Sequence, residues 1–359
     1  MSGDDAVLRA ESRGRSARRV GSPWILGALL LLAVVVCIVS LGGGAGSLSP
    51  ATVYDVLHSR VGGPAVTRSE LAIVWDIRTP RILLGLIVGA GLAISGVLVQ
   101  TLVRNALADP HLLGVSSGAA VGATTVITTG FLAGLGLWAI SAGAMVGALG
   151  AALLVFFITM SQGGITPLRL VLTGTVLASA LSAIASFMVL RTNDSQAAQS
   201  VLFWLLGSLA GATWEKLVPP VLIVTLCALV AFALHGWLDA LAAGPDVAGA
   251  VGVAVPMLRN LLFVMLSVMV GTMVAVSGAI AFVGLVIPHI ARLLVGSRHR
   301  WVLPVAAVLG AVFLVLVDLV ARTALRPVEI PLSVVTGVIG APLFLLILGR
   351  RHYQFGSAA

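Results

Sequence analysis

The sequence predicts an all-α polytopic membrane protein, and three observations carry that prediction. Of its 359 residues, 59% are hydrophobic and only 9% are charged, against about 25% charged in an ordinary soluble domain. Charged side chains do much of the work of covering a soluble fold, so most of this surface faces lipid. The apolar residues come in unbroken stretches of spanning length, whereas the strands of a membrane β-barrel alternate apolar and polar residues. The 41 glycines lie largely inside those stretches, as they do where membrane helices pack backbone to backbone. GLIVG (85–89), GAAVG (118–122) and GAMVG (143–147) repeat the small-xxx-small spacing, which reads as helix packing. The apolar total suffices for about ten crossings of roughly 20 residues each. A soluble enzyme, a disordered chain and a single-span anchored protein are excluded.

Taken in order, residues 1–23 are polar and arginine-rich and are expected to form a disordered tail. The first span is 24–41, longer than the apolar core of about 7–15 residues in a signal peptide. Residues 42–77 carry GGGAG, Pro50 and Pro64 and read as a loop with some local helix. Span two is 81–103, followed by a short turn at 104–110; spans three and four are 111–129 and 134–159. SQGGITPLR (161–169) breaks the chain before span five, 170–190. RTNDSQAAQ (191–199) reads as a polar loop, and 203–214 as an amphipathic piece with Trp204 and Trp214 at the interface level. Span six is 217–234. A long segment of low hydrophobicity fills 235–259. Spans seven to ten are 261–277, 280–295 (interrupted by Pro288), 303–319 and 332–348.

The charges orient this bundle. Thirteen of the 21 basic residues fall at one end of it: Arg9, Arg13, Arg15, Arg18, Arg19, Arg104, Arg169, Arg259, Arg292, Arg298, Arg300, Arg350 and Arg351. That bias places both termini in the cytoplasm. The net charge of +8 is therefore an orientation signal, not a nucleic-acid footprint. Lys216 is the only lysine and stands in no GxxxxGK[ST] motif, so there is no P-loop for ATP here. Of the thirteen acidic residues only Asp318 sits well within an apolar run, which weakens an ion-coupled carrier, since such carriers keep carboxylates in mid-membrane. Cys37 and Cys227 lie in apolar runs and make no zinc or disulfide pattern.

Three stretches are more specific: RTPRILLGLIVGAGLAISGVLVQTLVRNALADPHLLGVSSGAAVGA (78–123), GAIAFVGLVIPHIARLLVGSRHR (278–300) and DLVARTALRPVEIPLSVVTGVIGAP (318–342). In that order they resemble the permease family of ABC importers for iron–siderophores, haem and cobalamin, over 24–351. The resemblance implies a type II importer permease fold. It implies a dimer with a second copy or a sister permease, two ATPase subunits that hold the ATP and Mg, and an extracytoplasmic substrate-binding protein. No cofactor is expected on this chain itself. Arg78, Arg81, Arg322 and Arg326 match arginines that meet carboxylates of the binding protein; the alternative is that they anchor helix ends to lipid headgroups. Residues 236–258 fall at the coupling segment, with Asp239, Gly244, Asp246, Gly249 and Gly252 expected at the ATPase. There Pro245-Asp246 stands where the family has an acidic pair. The turn Arg104, Asn105, Ala106, Leu107, Ala108, Asp109, Pro110 lacks the family's first proline, which would make it less rigid. The fifth and tenth spans would line the translocation path. Thr173 lies in that fifth span, and Thr175, Ser179, Ser182 and Ser186 fall roughly on one of its faces; Ser333 and Thr336 lie in the tenth. Back-bonding of these hydroxyls to their own helices is the equal alternative. His111 and the Ile-Pro-His at 287–289 do not select haem, because that tripeptide is common to the family.

The function expected is the permease subunit of a binding-protein-dependent ABC importer in the cytoplasmic membrane. Its expected cargo is an iron–siderophore complex, with haem or cobalamin as alternatives. An ion-coupled secondary transporter is the rival of another class. No catalytic constellation speaks for a membrane enzyme.

Overall fold

The computed structural model describes residues 22–44, 48–60, 62–63 and 65–349. The expected tails at 1–23 and 352–359 lie outside these residues, apart from Ser22 and Pro23, with which the first helix begins. Among the described residues the chain is helical with no strand. Helix α1 is Ser22–Gly42, α2 Pro50–Ser59 and α3 Arg68–Leu71. A π-helical stretch, Ala72–Arg78, runs into α4, Thr79–Leu102. A 3-10 turn, Pro110–Leu113, precedes α5, Val115–Thr129. Next come α6 (Ala139–Ser161), α7 (Pro167–Arg191), α8 (Ser195–Leu205) and α9 (Trp214–Ala233). The short helices α10 (His235–Ala243) and α11 (Pro245–Ala250) follow. The chain closes with α12 (Val255–Ser277), α13 (Val283–Val295), α14 (His299–Thr323) and α15 (Leu332–Leu348). Among the described residues seven helical stretches are long and apolar enough to cross a membrane, and α13 and α15 are shorter apolar helices; α5, of 15 residues, stands where the third span was expected.

Helix α4 is the axis of the bundle. Nineteen of its residues are buried, and α14, α13, α12 and α9 pack round it. The small residues make this possible. A Cβ on Gly89 would stand 2.2 Å from the Gly310 carbonyl oxygen of α14, and one on Gly96 would stand 1.9 Å from that of Gly284 in α13. The GAAVG and GAMVG motifs meet each other: Gly122 faces Gly143, and Gly118 faces Gly147, across the α5–α6 interface. These contacts let backbones pack at dispersion distance where lipid offers no hydrophobic drive for association.

Four boundaries depart from expectation. The 191–199 stretch becomes helical from Ser195, because Asp194 caps α8 by accepting a hydrogen bond from the Gln196 N–H at 2.8 Å. The interfacial piece expected at 203–214 is thereby divided between the end of α8, a turn, and the start of α9. Helix α12 starts at Val255, with Pro256 in its first turn, where proline's missing N–H is no loss. The π-helical stretch carries α4's line back through residues expected as loop. Between α12 and α13 the chain leaves the helix at Gly278 (φ 69°) and re-enters at Phe282 (φ 69°). Phe282 is held there against Gly340 of α15, whose missing side chain makes the room.

Helix α7 is the exception to this close packing. Among its residues only Leu170, Gly174 and Ala185 are buried, and Val176, Phe187 and Leu190 stand well exposed.

Candidate functional site

Three places gather the residues singled out from the sequence. The first lies at the end of the bundle opposite α10 and α11. The last carbonyls of α1 have no partner within that helix, and arginines supply one. Arg78 donates to the Leu41 and Gly42 carbonyls at 2.6 and 3.0 Å. Arg322 donates to the Gly43 and Ser40 carbonyls and to the Ser40 hydroxyl at 2.9, 3.0 and 2.6 Å. Asp318 lies between Arg322 and Arg81, 3.0 and 2.8 Å from them. Arg81 also forks onto Glu329, with bonds of 2.8 and 3.0 Å in the bidentate geometry that suits guanidinium and carboxylate. The four arginines expected at the docking end differ in exposure. Arg78, Arg81 and Arg322 are 5%, 7% and 7% exposed, and they join α1, α4 and α14. Arg326 alone of the four is exposed, and the Glu329 side chain beside Arg81 keeps 39% exposure.

The second place is the α10–α11 hairpin. Leu238, Leu241 and Ala248 are fully buried and seat the hairpin on the bundle, each leucine contributing about 1.5–3 kcal/mol. Gly244 turns the chain at φ 147° and ψ 152°, a conformation essentially confined to glycine. Asp239 is engaged within the chain, while its side chain keeps 36% exposure. Its carboxylate accepts from the His299 backbone N–H and ring Nδ1 at 2.9 and 2.6 Å, capping α14 from another helix. Partial burial pushes the Asp239 carboxyl up, but these hydrogen bonds outweigh it and hold it below its ordinary value. Gly244 is buried, whereas Asp246, Gly249 and Gly252 are exposed. They share the surface with Trp237, Val247, Val251 and Met257, which are 48%, 48%, 67% and 71% exposed.

The turn at 104–110 lies close by. Arg104 has φ +51°, and its guanidinium reaches to 3.9 Å from where a Gly244 Cβ would be. Asn105 caps the Leu107 N–H at 2.9 Å. The Ala106 carbonyl, in the residue that replaces the expected proline, is held by His289 Nε2 at 2.8 Å. That bond supplies a restraint the missing ring does not.

The third place is a cavity of about 550 Å³ in the body of the bundle. It is walled by Asp109, His111, Leu112, Ser116, Ser117, Thr175, Ala178, Ser179, Leu205, Ala279, Ala281 and Ser333. Thr175 and Ser179 come from α7 and Ser333 from α15, so the fifth and tenth spans both contribute to this wall. Ser182 adjoins through a 3.2 Å bond to Ser117. Thr175 and Ser179 also back-bond to their own helix at 2.8 and 3.0 Å, so lining and back-bonding coexist. Ser186 is exposed on α7 outside the cavity wall. Thr336, also expected on the path, is fully buried and its hydroxyl donates to the Ser333 carbonyl. Asp109, expected in a cytoplasmic turn, is on the wall and caps the His111 N–H at 2.8 Å. His111 has both ring nitrogens engaged, Nδ1 with the Ser116 hydroxyl and Nε2 with the Ile280 carbonyl at 2.9 Å. Ser116 and Ser117 escaped the sequence reading. Their pairing in GVSSG at the head of α5 was the available signal, but a register toward α7 cannot be read from one helix. No group of three or more His, Cys, Asp or Glu poised for a metal occurs among the described residues.

The model of the FecCD transport family matches residues 30–350. The chain is 38% identical over 322 residues to the molybdate import system permease of Haemophilus influenzae, covering 90% of this chain and 94% of that one. It is 36% identical over 342 residues to the hemin transport system permease of Yersinia pestis, covering 94% and 99%. A solved metal-chelate type ABC transporter, in an inward-facing conformation, superposes with a TM-score of 0.80 at 37% identity, covering 91% of this chain and 99% of that one.

Proposed function

The chain belongs to the FecCD transport family and is a permease subunit of an ABC importer, and from that premise we propose that it passes an iron–siderophore complex across the cytoplasmic membrane. The observation supporting this cargo is the lining of the 550 Å³ cavity. The hydroxyls of Ser116, Ser117, Thr175 and Ser179, each bonded within the protein and interspersed with alanine, present a neutral, weakly polar surface to a bulky, oxygen-rich chelate. Such a surface holds cargo loosely and releases it. A small oxyanion, the cargo named for the Haemophilus relative, calls for charged donors, whereas the ionic group on this wall is the Asp109 carboxylate. Axial ligation of haem needs a free imidazole lone pair, and both nitrogens of His111 are engaged.

In this reading the α10–α11 end faces the cytoplasm, as do both termini. Two ATPase subunits, carrying the ATP and Mg, dock on the exposed surface of Asp246, Gly249 and Gly252. A second copy or a sister permease covers the open face of α7. The substrate-binding protein meets the opposite end at Arg326 and at the Arg81–Glu329 fork. Against ion coupling, Asp318 is already in two ion pairs.

The test is reconstitution with the ATPase and binding protein in vesicles. Binding-protein-stimulated hydrolysis and uptake of a ferric hydroxamate are expected, with no hydrolysis by the permease alone. Uptake of hemin or cobalamin but not of ferric hydroxamate overturns the cargo. ATP-independent uptake that an ionophore abolishes overturns the class.

A further inference from the structure

A smaller cavity of about 240 Å³ lies apart from the translocation cavity, at the end opposite α10 and α11. It sits where the first turns of α6 and α9 meet the last turn of α12 and the end of α8. Two other clefts in the bundle have almost wholly apolar walls, such as Leu153, Phe156 and Val264 or Ile87, Val224 and Phe232. This one combines apolar walls (Ile140, Phe203, Val276) with Lys216, Ser141 and Trp204.

Three donors at this cavity are unengaged. Lys216 is the only lysine of the chain. Its backbone N–H is bonded to the Thr213 cap, but its ammonium has no hydrogen bond or ion pair among the described residues, although it is only partly exposed. Ser141 is 8% exposed and its hydroxyl has no partner there, nor has the Trp204 indole N–H. The neighbouring Trp214 shows the contrast: its indole donates to the Trp75 carbonyl at 3.1 Å, and its ring lies against that of Trp75, tilted by 34° with centroids 4.9 Å apart. That aromatic pair belongs at the headgroup level of a membrane. Gly211 leaves the approach open, with Lys216 Nζ 3.7 Å from where its Cβ would be. A partly desolvated ammonium beside unengaged donors is stabilised by an anion, and the apolar walls at membrane depth fit an amphiphile.

We propose that this cavity binds the phosphate of an anionic phospholipid in the leaflet at that end. Lys216 holds the phosphate, Ser141 and Trp204 donate to its oxygens, and Ile140, Phe203 and Val276 pack against the first acyl carbons. The chemistry shared with free phosphate is the oxyanion; the apolar walls select the lipid.

The test uses the full chain purified in detergent and titrated with phosphatidylglycerol, with lipid retention counted by native mass spectrometry. One phosphatidylglycerol per chain is expected at this site, in preference to phosphatidylcholine. Lys216→Met should weaken retention about tenfold, the scale of one charge-assisted hydrogen bond, and Lys216→Arg should restore it. Equal retention by the wild type and Lys216→Met overturns the site. Displacement of the lipid by inorganic phosphate at matched concentration overturns the lipid as its occupant. Should Lys216→Met fold poorly, the wild type decides by fluorescence. Brominated phosphatidylglycerol should quench tryptophan more than brominated phosphatidylcholine, and Trp204→Phe should remove the excess. Equal quenching by the two lipids overturns the proposal.

Discussion

At the scale of single residues, Asp318 is the most consequential side chain. It lies between two buried guanidiniums, and removing it leaves Arg322 with no carboxylate and Arg81 with Glu329 alone. Asp318→Ala should destabilise the chain by about 3–5 kcal/mol, the range for breaking a buried ion pair, read as loss of thermal stability in detergent. Glu329→Ala should cost about 1 kcal/mol or less, because that carboxylate is 39% exposed; a loss equal to that of Asp318→Ala would contradict this ranking. The positions of Arg78, Arg81 and Arg322 were legible in the sequence, but their direction was not. The carboxylates that Arg81 meets are 237 and 248 residues away along the chain, and the carbonyls that Arg78 meets belong to the end of α1. Spacing within one helix carries no information about such partners. Likewise Asp239 was legible as a polar residue in the long segment between spans six and seven, whereas its role as a cap for α14 depends on how two helices cross.

At the scale of elements, identical substitutions should have opposite signs. Gly96→Ala places a methyl 1.9 Å from a backbone oxygen of α13, so the helices must part, at about 1–3 kcal/mol. Gly150→Ala, in α6, meets nothing within 4 Å and should stabilise by up to about 1 kcal/mol through helix propensity. Thermal unfolding of the two variants checks both. The Asp239 clamp between α10 and α14 has a pH signature. Its carboxyl is held below the ordinary value in the fold, so the clamp is fully present above about pH 4, the unfolded aspartate value. It is lost as pH falls through the lower folded value. Hydrogen exchange in α10 should therefore be steady from pH 8 to pH 5 after correction for intrinsic rates and rise only in stronger acid. Asp239→Asn should abolish that rise, at a cost of about 0.5–1 kcal/mol, since the carboxylate is 36% exposed. Hydropathy located the spanning helices well because length and composition suffice for that. It missed the boundaries at Ser195 and Val255, which are set by a capping aspartate and a first-turn proline. It placed the break after Ser277 but set the re-entry at 280 instead of 283, because through 278–282 every residue is apolar or glycine and only φ distinguishes loop from helix.

At the scale of the whole molecule, α7 shows a mostly uncovered apolar face, and the proposed dimer predicts what covers it. Val176, 70% exposed, replaced by cysteine in a Cys37→Ser background, should give an oxidant-dependent dimer in membranes; a scan of α7 that yields only monomer would remove the second copy from that face. The likeness to the family was legible because three long motifs stand in order. The cavity was half legible: hydroxyls of the fifth and tenth spans were expected on it, while Ser116 and Ser117 arrive through the α5–α7 contact. One stretch of its wall comes from the break between α12 and α13, and there it is made of Ala279 and Ala281. Such a wall is nearly silent to truncation, because it has no side chain left to remove. An alanine scan would pass over this stretch, and would credit the side chains it removes elsewhere on the wall with a recognition that main chain also performs. The two sides differ in the same way as material for change. The hydroxyl wall can be rewritten one substitution at a time to suit a new cargo, whereas the opposite wall holds its shape whatever the cargo becomes.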